Sequence, residues 1–244
     1  MIAIQTVGLT KRYKDLTAVD NLNLTIEQGE LFALLGINGA GKTTTIKMLC
    51  CLTQPDDGDA TIMGHSITNN SQAVKQLINI SPQETAIAQG LSVKENLLLI
   101  AQLHGATMQE AEQKTQDLAT NFGLTEVLHN KAKTLSGGMQ RRLSIAMALV
   151  SAPQILFLDE PTLGLDIIAR RELWRTIEAL KGKITIILTT HYLEEAEHLA
   201  DRIGIMYKGK ITAVGSSEQL IERSKAINFE EAFIAYATEG GTDE

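Results

Sequence analysis

The sequence predicts an α/β protein: a doubly wound, largely parallel sheet, led by an N-terminal antiparallel β subdomain and carrying an inserted α-helical subdomain. Three observations predict it. Two short runs, Leu31-Phe32-Ala33-Leu34-Leu35 and Ile155-Leu156-Phe157-Leu158, are apolar at every position, as strands covered on both faces are. From residue 155 onward, apolar strand-like runs alternate with helical patterns, which favours parallel pairing. Between the two runs, from about Ser92 to Ser151, the periodicity is mainly helical and holds no convincing strand.

The first thirty residues alternate weakly between apolar and polar, as in Val19-Asp20-Asn21-Leu22-Asn23-Leu24-Thr25-Ile26, the pattern of half-buried antiparallel strands. Leu31 to Leu35 follows as a buried strand, then a glycine loop, then a helix from about Lys42 to Leu52. Asp57-Gly58-Asp59 reads as a turn and Ala60 to Met63 as a short strand. Helices are expected near 93–103, 108–122 and 138–150, and the helical lobe as a whole is set at about 84–151. Beyond it come a strand at 155–158, a helix at 168–181, a strand at 184–188, a helix at 192–200, a strand at 203–207 and its hairpin partner at 210–214. These make one domain over 1–223. A tail, 224–244, holds a short amphipathic helix around Phe229 to Tyr236, and its last five residues are expected to be disordered.

At 244 residues and 44% hydrophobic, the chain can bury a substantial core. Lys and Arg number 22 against 29 Asp and Glu, a net charge of −7, so no broad nucleic-acid face is expected. The two cysteines, Cys50 and Cys51, are adjacent, which argues against an ordinary structural disulfide and for a reducing compartment. In the apolar run Ile46 to Leu52 they read as small core hydrophobes. No apolar run approaches the ~20 residues that span a bilayer, and the N-terminus lacks the pattern of a secretory leader.

The chemistry sits in three short stretches. Gly36-Ile37-Asn38-Gly39-Ala40-Gly41-Lys42-Thr43 fits G-x-x-x-x-G-K-[ST], with an apolar strand leading in and a helix leading out. Glycines let backbone N–H groups approach phosphate oxygens closely, and the helix N-terminus adds a field that favours the anion. Lys42 is placed to reach β- and γ-phosphates and Thr43 to offer its hydroxyl to Mg²⁺. Asp159-Glu160 ends the second apolar run, and two carboxylates at a buried strand end are costly without a cation. Successive strand residues point to opposite sides, so Asp159 is assigned to Mg²⁺ and Glu160 to activating the attacking water. Leu135-Ser136-Gly137-Gly138-Met139-Gln140 opens a further helix, and by spacing alone Ser136 reads as an ordinary N-cap.

Together these stretches resemble the ATP-binding cassette (ABC) family over nearly the whole chain, and Leu135 to Gln140 resembles its LSGGQ signature with a methionine placed before the glutamine. The resemblance implies a P-loop NTPase (RecA-like) core and ATP with Mg²⁺ as ligands. It also implies that Gly36 to Thr43 and Thr44 cradle the phosphates and that Gln83, of Ile80-Ser81-Pro82-Gln83, touches both nucleotide and metal. His191, of Thr189-Thr190-His191, resembles the switch histidine, Gly164-Leu165-Asp166 the D-loop, and Tyr13 the aromatic that stacks on adenine. Catalysis is assigned to Glu160, His191, Gln83 and Lys42. Metal ligation is assigned to Thr43, Gln83 and Asp159.

The family pattern implies two copies packed head to tail, each ATP lying between one copy's Lys42 loop and the other's Ser136, Gly137, Gly138 and Gln140. It implies a separate integral-membrane permease as partner, contacting roughly Thr85 to Ser92, and a cytoplasmic position on the inner face of the membrane. Thr43 to Leu49, His191 to Ala196 and Phe229 to Phe233 look most like ABC-2 type exporters, multidrug exporters included. An importer subunit is the nearest alternative. A soluble ABC ATPase acting on DNA or ribosomes is a second, disfavoured by the compact interval between Lys42 and Ser136 and by the presence of one cassette only.

Overall fold

A computed structural model describes residues 1–238. The expected disorder of 240–244 therefore lies outside the described residues. The chain opens with two long antiparallel strands, β1 (Ile2–Tyr13) and β2 (Leu16–Glu27), then β3 (Leu31–Leu35), α1 (Lys42–Leu49), β4 (Asp57–Ile62), β5 (His65–Ser66), α2 (Ser71–Leu77) and β6 (Ile78–Ser81). Three helices follow, α3 (Val93–Leu103), α4 (Met108–Asn121) and α5 (Gly137–Leu149). The remainder alternates: β7 (Ile155–Asp159), α6 (Ile167–Glu178), β8 (Thr185–Thr190), α7 (Leu193–Leu199), β9 (Arg202–Tyr207), β10 (Lys210–Gly215), α8 (Ser217–Ser224) and α9 (Phe229–Thr238).

Two sheets result. One is antiparallel, ordered β2-β1-β4-β5, and the other runs β10-β9-β3-β8-β7-β6, parallel throughout except for the β9–β10 hairpin. The apolar runs explain themselves in this arrangement. Along β7, Ile155 and Phe157 face a core built with α1 and the antiparallel sheet, while Leu156 and Leu158 face the helical side. In β3, Phe32 and Leu34 join the first core, and Leu31 the second. With each fully buried side chain worth ~1.5–3 kcal/mol, a strand apolar at every position is stable only where both faces are covered.

The helical lobe does not have a core of its own. Leu97 of α3, Ala111 of α4 and Leu143 of α5 belong to one continuous cluster with Leu156, Leu158 and Trp174. α3 and α4 each start at a capping box, Ser92 with Glu95 and Thr107 with Glu110, which fixes their first turns. Between β6 and α3 the chain lacks regular structure, and the buried Asn96 side chain holds it by accepting from Ala88 N and donating to the carbonyls of Ala88 and Ser92.

Three expectations are corrected, and two elements, α2 and β6, were not anticipated. Asp57-Gly58-Asp59 is the start of β4 rather than a turn, because the β1–β4 register shifts between Val7 and Thr10 and draws these residues into the ladder. α2 and β6 were not legible: α2 buries Val74 alone, and β6 is four residues of mixed polarity whose burial comes from pairing with β7. The helix expected to reach Leu52 stops at Leu49, and Cys51 has φ 54°, so only Cys50 caps the helix and enters the core. The helix expected over 168–181 ends at Glu178, with turns carrying the chain into β8.

A buried carboxylate ties α6 to α7. Glu195 is fully buried and accepts from Trp174 Nε1 at 3.0 Å through Oε1. Burial raises its pKa, opposed in part by the hydroxyls of Thr190 and Thr162, the Trp174 indole and the Arg170 charge. The folded protein thus keeps this proton to a higher pH than the unfolded chain does, so stability falls as pH rises from the ordinary carboxylate range through the folded-state value. Replacing Glu195→Gln keeps an acceptor for Trp174 and removes that loss. In thermal melts the variant should gain on the wild type as pH is raised from about 5 to about 8, and a constant difference would contradict this.

Candidate nucleotide site

The site forms where β3, β7 and β8 reach their carboxyl ends side by side, which is where ligands bind in open α/β sheets. β3 runs into the glycine loop and α1 starts at once, with Gly41 as its N-cap, so the helix N-terminus points into the loop. Two glycines are required by close approach. A side chain on Gly36 would collide with the Met206 carbonyl, and one on Gly41, whose φ is 111°, with the Ala18 carbonyl and the Met206 side chain.

Lys42 is only 5% exposed, and its ammonium donates to Gly36 O at 2.7 Å and Ile37 O at 3.2 Å while lying 3.3 Å from Glu160 Oε1. Thr43 Oγ1 donates to Asp159 Oδ1 at 3.2 Å, and Thr189 Oγ1 donates to the same oxygen at 2.6 Å. Glu160 Oε2 meets His191 Nδ1 at 2.5 Å. One buried carboxylate is therefore shared between a lysine and a histidine, and its neighbour between two hydroxyls. The desolvation cost of both is offset inside the site.

The separation of the two carboxylates does not arise by simple strand alternation, as the sequence suggested. β7 ends at Asp159, and Glu160 leaves it with φ 50°, a left-handed conformation that costs a non-glycine residue ~1–3 kcal/mol. It is held there by its own N–H, which donates to Thr189 O and Thr189 Oγ1, both at 3.1 Å.

A cleft of about 480 Å³ opens over this junction. It brings together Tyr13, Asn38, Gly39, Ala40, Gly41, Lys42, Thr43, Thr44, Gln83, Glu160 and His191, all expected from sequence, and adds Leu16, Ala18 and Leu163. Gly36 and Asp159 are buried behind the lining, and Ile37 is exposed outside it; Gly36 and Ile37 accept from Lys42, and Asp159 from the two hydroxyls. Tyr13, 45% exposed at the end of β1, offers a ring face at the rim. The donor set fits a hard cation: the Thr43 hydroxyl and the Asp159 carboxylate are adjacent oxygens. Mg²⁺ is commonly held by one or two carboxylates together with substrate phosphates.

Ser136, Gly137, Gly138 and Gln140 do not join the cleft. Ser136 caps α5 by accepting from Met139 N at 3.3 Å, and Ser136 and Gly137 are exposed. Gly138 packs so closely on α6 that an added Cβ would lie 3.0 Å from Ala169 Cβ. Gln140 donates to the carbonyls of Ala132 and Leu135, holding its own loop. Asp166, of the expected D-loop, caps α6 by accepting from Ile168 N and Ala169 N.

Sequence reasoning missed Thr189 and Arg141. Thr189 lay inside a quoted stretch, and its role follows only from the parallel pairing that sets it beside Asp159. Arg141 is 4% exposed and donates to Pro82 O at 2.7 Å, Gln83 O at 2.6 Å and Glu160 O at 3.5 Å. Burial lowers its pKa, countered by the Asp159 and Glu195 carboxylates.

A family model described as ABC transporter matches residues 19–163, more than half of the chain. The chain belongs to the ABC transporter family. It is an ATP-binding, ATP-hydrolysing domain with the P-loop NTPase fold. The daunorubicin/doxorubicin resistance ATP-binding protein DrrA of Streptomyces peucetius is 42% identical over 219 residues, covering 89% of this chain and 66% of that protein. The linearmycin resistance ATP-binding protein LnrL of Bacillus subtilis is 39% identical over 221 residues, covering 90% and 71%. This ABC domain thus spans about two thirds of the length of those relatives. A solved dimeric ATP-binding cassette in a post-hydrolysis state, bound to ADP and Pi, superposes with a TM-score of 0.78 at 25% identity, covering 87% of this chain and 98% of that one.

Gly41→Ala tests the loop geometry. Strain at φ 111° and the clash with Ala18 should weaken ATP binding by at least about tenfold, equivalent to about 1.4 kcal/mol, in a fluorescent-nucleotide titration. Binding at wild-type affinity would contradict the cradle.

Proposed function

We propose that the protein is the ATP-hydrolysing subunit of an ABC exporter, working as a head-to-tail pair that clasps two ATP molecules and drives a separate membrane permease. The observation that carries this reading is the division of the site. The phosphate loop, both carboxylates and the histidine line or back one cleft, while the N-terminus of α5, exposed at Ser136 and Gly137, stands apart from it on the same chain. A helix N-terminus with an exposed serine and glycine binds anions well, and a second copy supplies the phosphate it lacks. The dimeric relative with ADP and Pi supports this arrangement.

Within the cleft, Lys42 and the loop N–H groups bind the phosphates, and Tyr13 stacks on the base. Thr43 and Asp159 would hold Mg²⁺, with Gln83 within reach from the loop that leaves β6. The metal, when bound, neutralises charge on the phosphate oxygens. Glu160 orients the attacking water and takes its proton, and His191 fixes the Glu160 carboxylate through their hydrogen bond. Closure of the pair on ATP and its opening after phosphate loss move each subunit, its helical lobe, 84–151, included, and with it whatever is docked near Thr85 to Ser92.

Among the described residues no helix is long and apolar enough to cross a membrane. The permease partner and the position on the cytoplasmic face are assigned on the family pattern. The resistance proteins it resembles favour export.

Glu160→Gln should lower ATP hydrolysis by about a hundredfold or more while ATP binding stays within a few-fold, measured by phosphate release and nucleotide titration. Hydrolysis near the wild-type rate would refute the assignment. Purified from native membranes, the wild-type protein should bring down a polytopic membrane protein; recovery with ribosomes or DNA would contradict the transport reading.

A further inference from the structure

Arg141 lies on α5, three residues beyond Gly138 and about one helical turn from it. Its planar guanidinium satisfies three backbone carbonyls drawn from two different segments. Pro82 and Gln83 belong to the loop leaving β6, and Glu160 to the turn leaving β7. The next inward residue on the same face, Ser144, is hydrogen-bonded to Ser81 at 2.9 Å, so α5 and the β6 end are joined twice. Gln83 and Glu160 both line the cleft, the strands that lead to them pair as far as Ser81 and Leu158, and beyond that pairing their carbonyls share this one cation. A helix is stiff along its axis, so displacing the Ser136 end displaces Arg141 with it.

We propose that Arg141 is a positioning residue that links the seating of α5 on the partner's nucleotide to the placement of Gln83 and Glu160 in its own cleft. The two ATP sites of the pair thereby become interdependent. This rests on the two-copy reading above. The fork geometry matters, because the three donors of a lysine ammonium radiate from one nitrogen, whereas the carbonyl of Pro82 is met by one guanidinium nitrogen and those of Gln83 and Glu160 by another.

The test uses the full-length protein carrying Arg141→Met, which keeps side-chain length and loses the donors, and Arg141→Lys, which keeps the charge. Both should fall at least about tenfold in kcat, with half-saturating ATP changed less than about threefold and the Hill coefficient reduced toward one. In a Glu160→Gln background, ATP-induced pairing on size-exclusion chromatography should survive Arg141→Met. Mixed pairs with one working cleft separate cause from bystander effects. With Lys42→Ala and Arg141→Met in the same subunit, the working cleft belongs to the unaltered copy and should turn over at the single-site rate. With the two substitutions in opposite subunits, the working cleft belongs to the Arg141→Met copy and should be slow. Equal rates in the two arrangements, with pairing intact, would overturn the proposal alone, as would a Lys variant with wild-type kcat and cooperativity. Loss of ATP-induced pairing by Arg141→Met would reduce the residue to a support of the fold. Failure of the Glu160→Gln protein itself to pair on ATP would remove the two-copy reading and this proposal with it.

Discussion

Two carboxylates buried at the end of one strand need compensation, and the core of this protein is arranged around supplying it. Asp159 and Glu160 are 4% and 7% exposed. Asp159 is met by hydroxyls from two neighbouring strand ends, Thr43 beyond β3 and Thr189 in β8, and Glu160 by Lys42 and His191 from the same two places. Parallel pairing of β7 with β8 and of β8 with β3 is therefore a requirement of the chemistry as much as of the core. A register slip by one residue would turn Thr189 away from Asp159 and leave a buried charge without a partner. The left-handed turn at Glu160 belongs to the same constraint, since it aims the side chain away from Asp159 and is secured by Thr189.

The site's chemistry was more legible in the sequence than its wiring. The glycine loop, the carboxylate pair and the apolar strands leading to them carry strong local patterns, because phosphate binding and two-sided burial each restrict residue choice at consecutive positions. Gln83, Tyr13 and His191 come to the cleft from three separated segments, and only their order along a family pattern pointed to them. β6 escaped notice because Ile78-Asn79-Ile80-Ser81 has neither length nor alternation, and its strand character comes from pairing with β7. Arg141 escaped because an arginine beside another on a helix ordinarily reads as a solvated face, whereas here it is buried on backbone carbonyls that no local pattern announces. The turn expected at Asp57-Gly58-Asp59 was wrong for the opposite reason: turn-forming residues sit in a strand where a register shift accommodates them.

The helical lobe shares its core with one face of the sheet, so its motion as an independent body is restrained by apolar contact with Leu156, Leu158 and Trp174. What remains movable is the irregular segment after Gln83, held by Asn96 and Arg141 through hydrogen bonds to backbone. Hydrogen bonds of this kind can be exchanged between two arrangements at small cost, while a packed core cannot. That division suits a protein in which nucleotide at one end of the segment must be felt at the other.

The claim on which all of this turns is that each catalytic site is completed by a second copy. Subunits carrying Lys42→Ala and subunits carrying Ser136→Arg should each be inactive when pure. Mixing them should restore hydrolysis, because one cleft in each mixed pair then has an intact Lys42 loop and an intact partner signature helix. The account predicts recovery of at most one working site per pair. No recovery on mixing, with mixed pairs shown to form, would mean that each chain completes its own site.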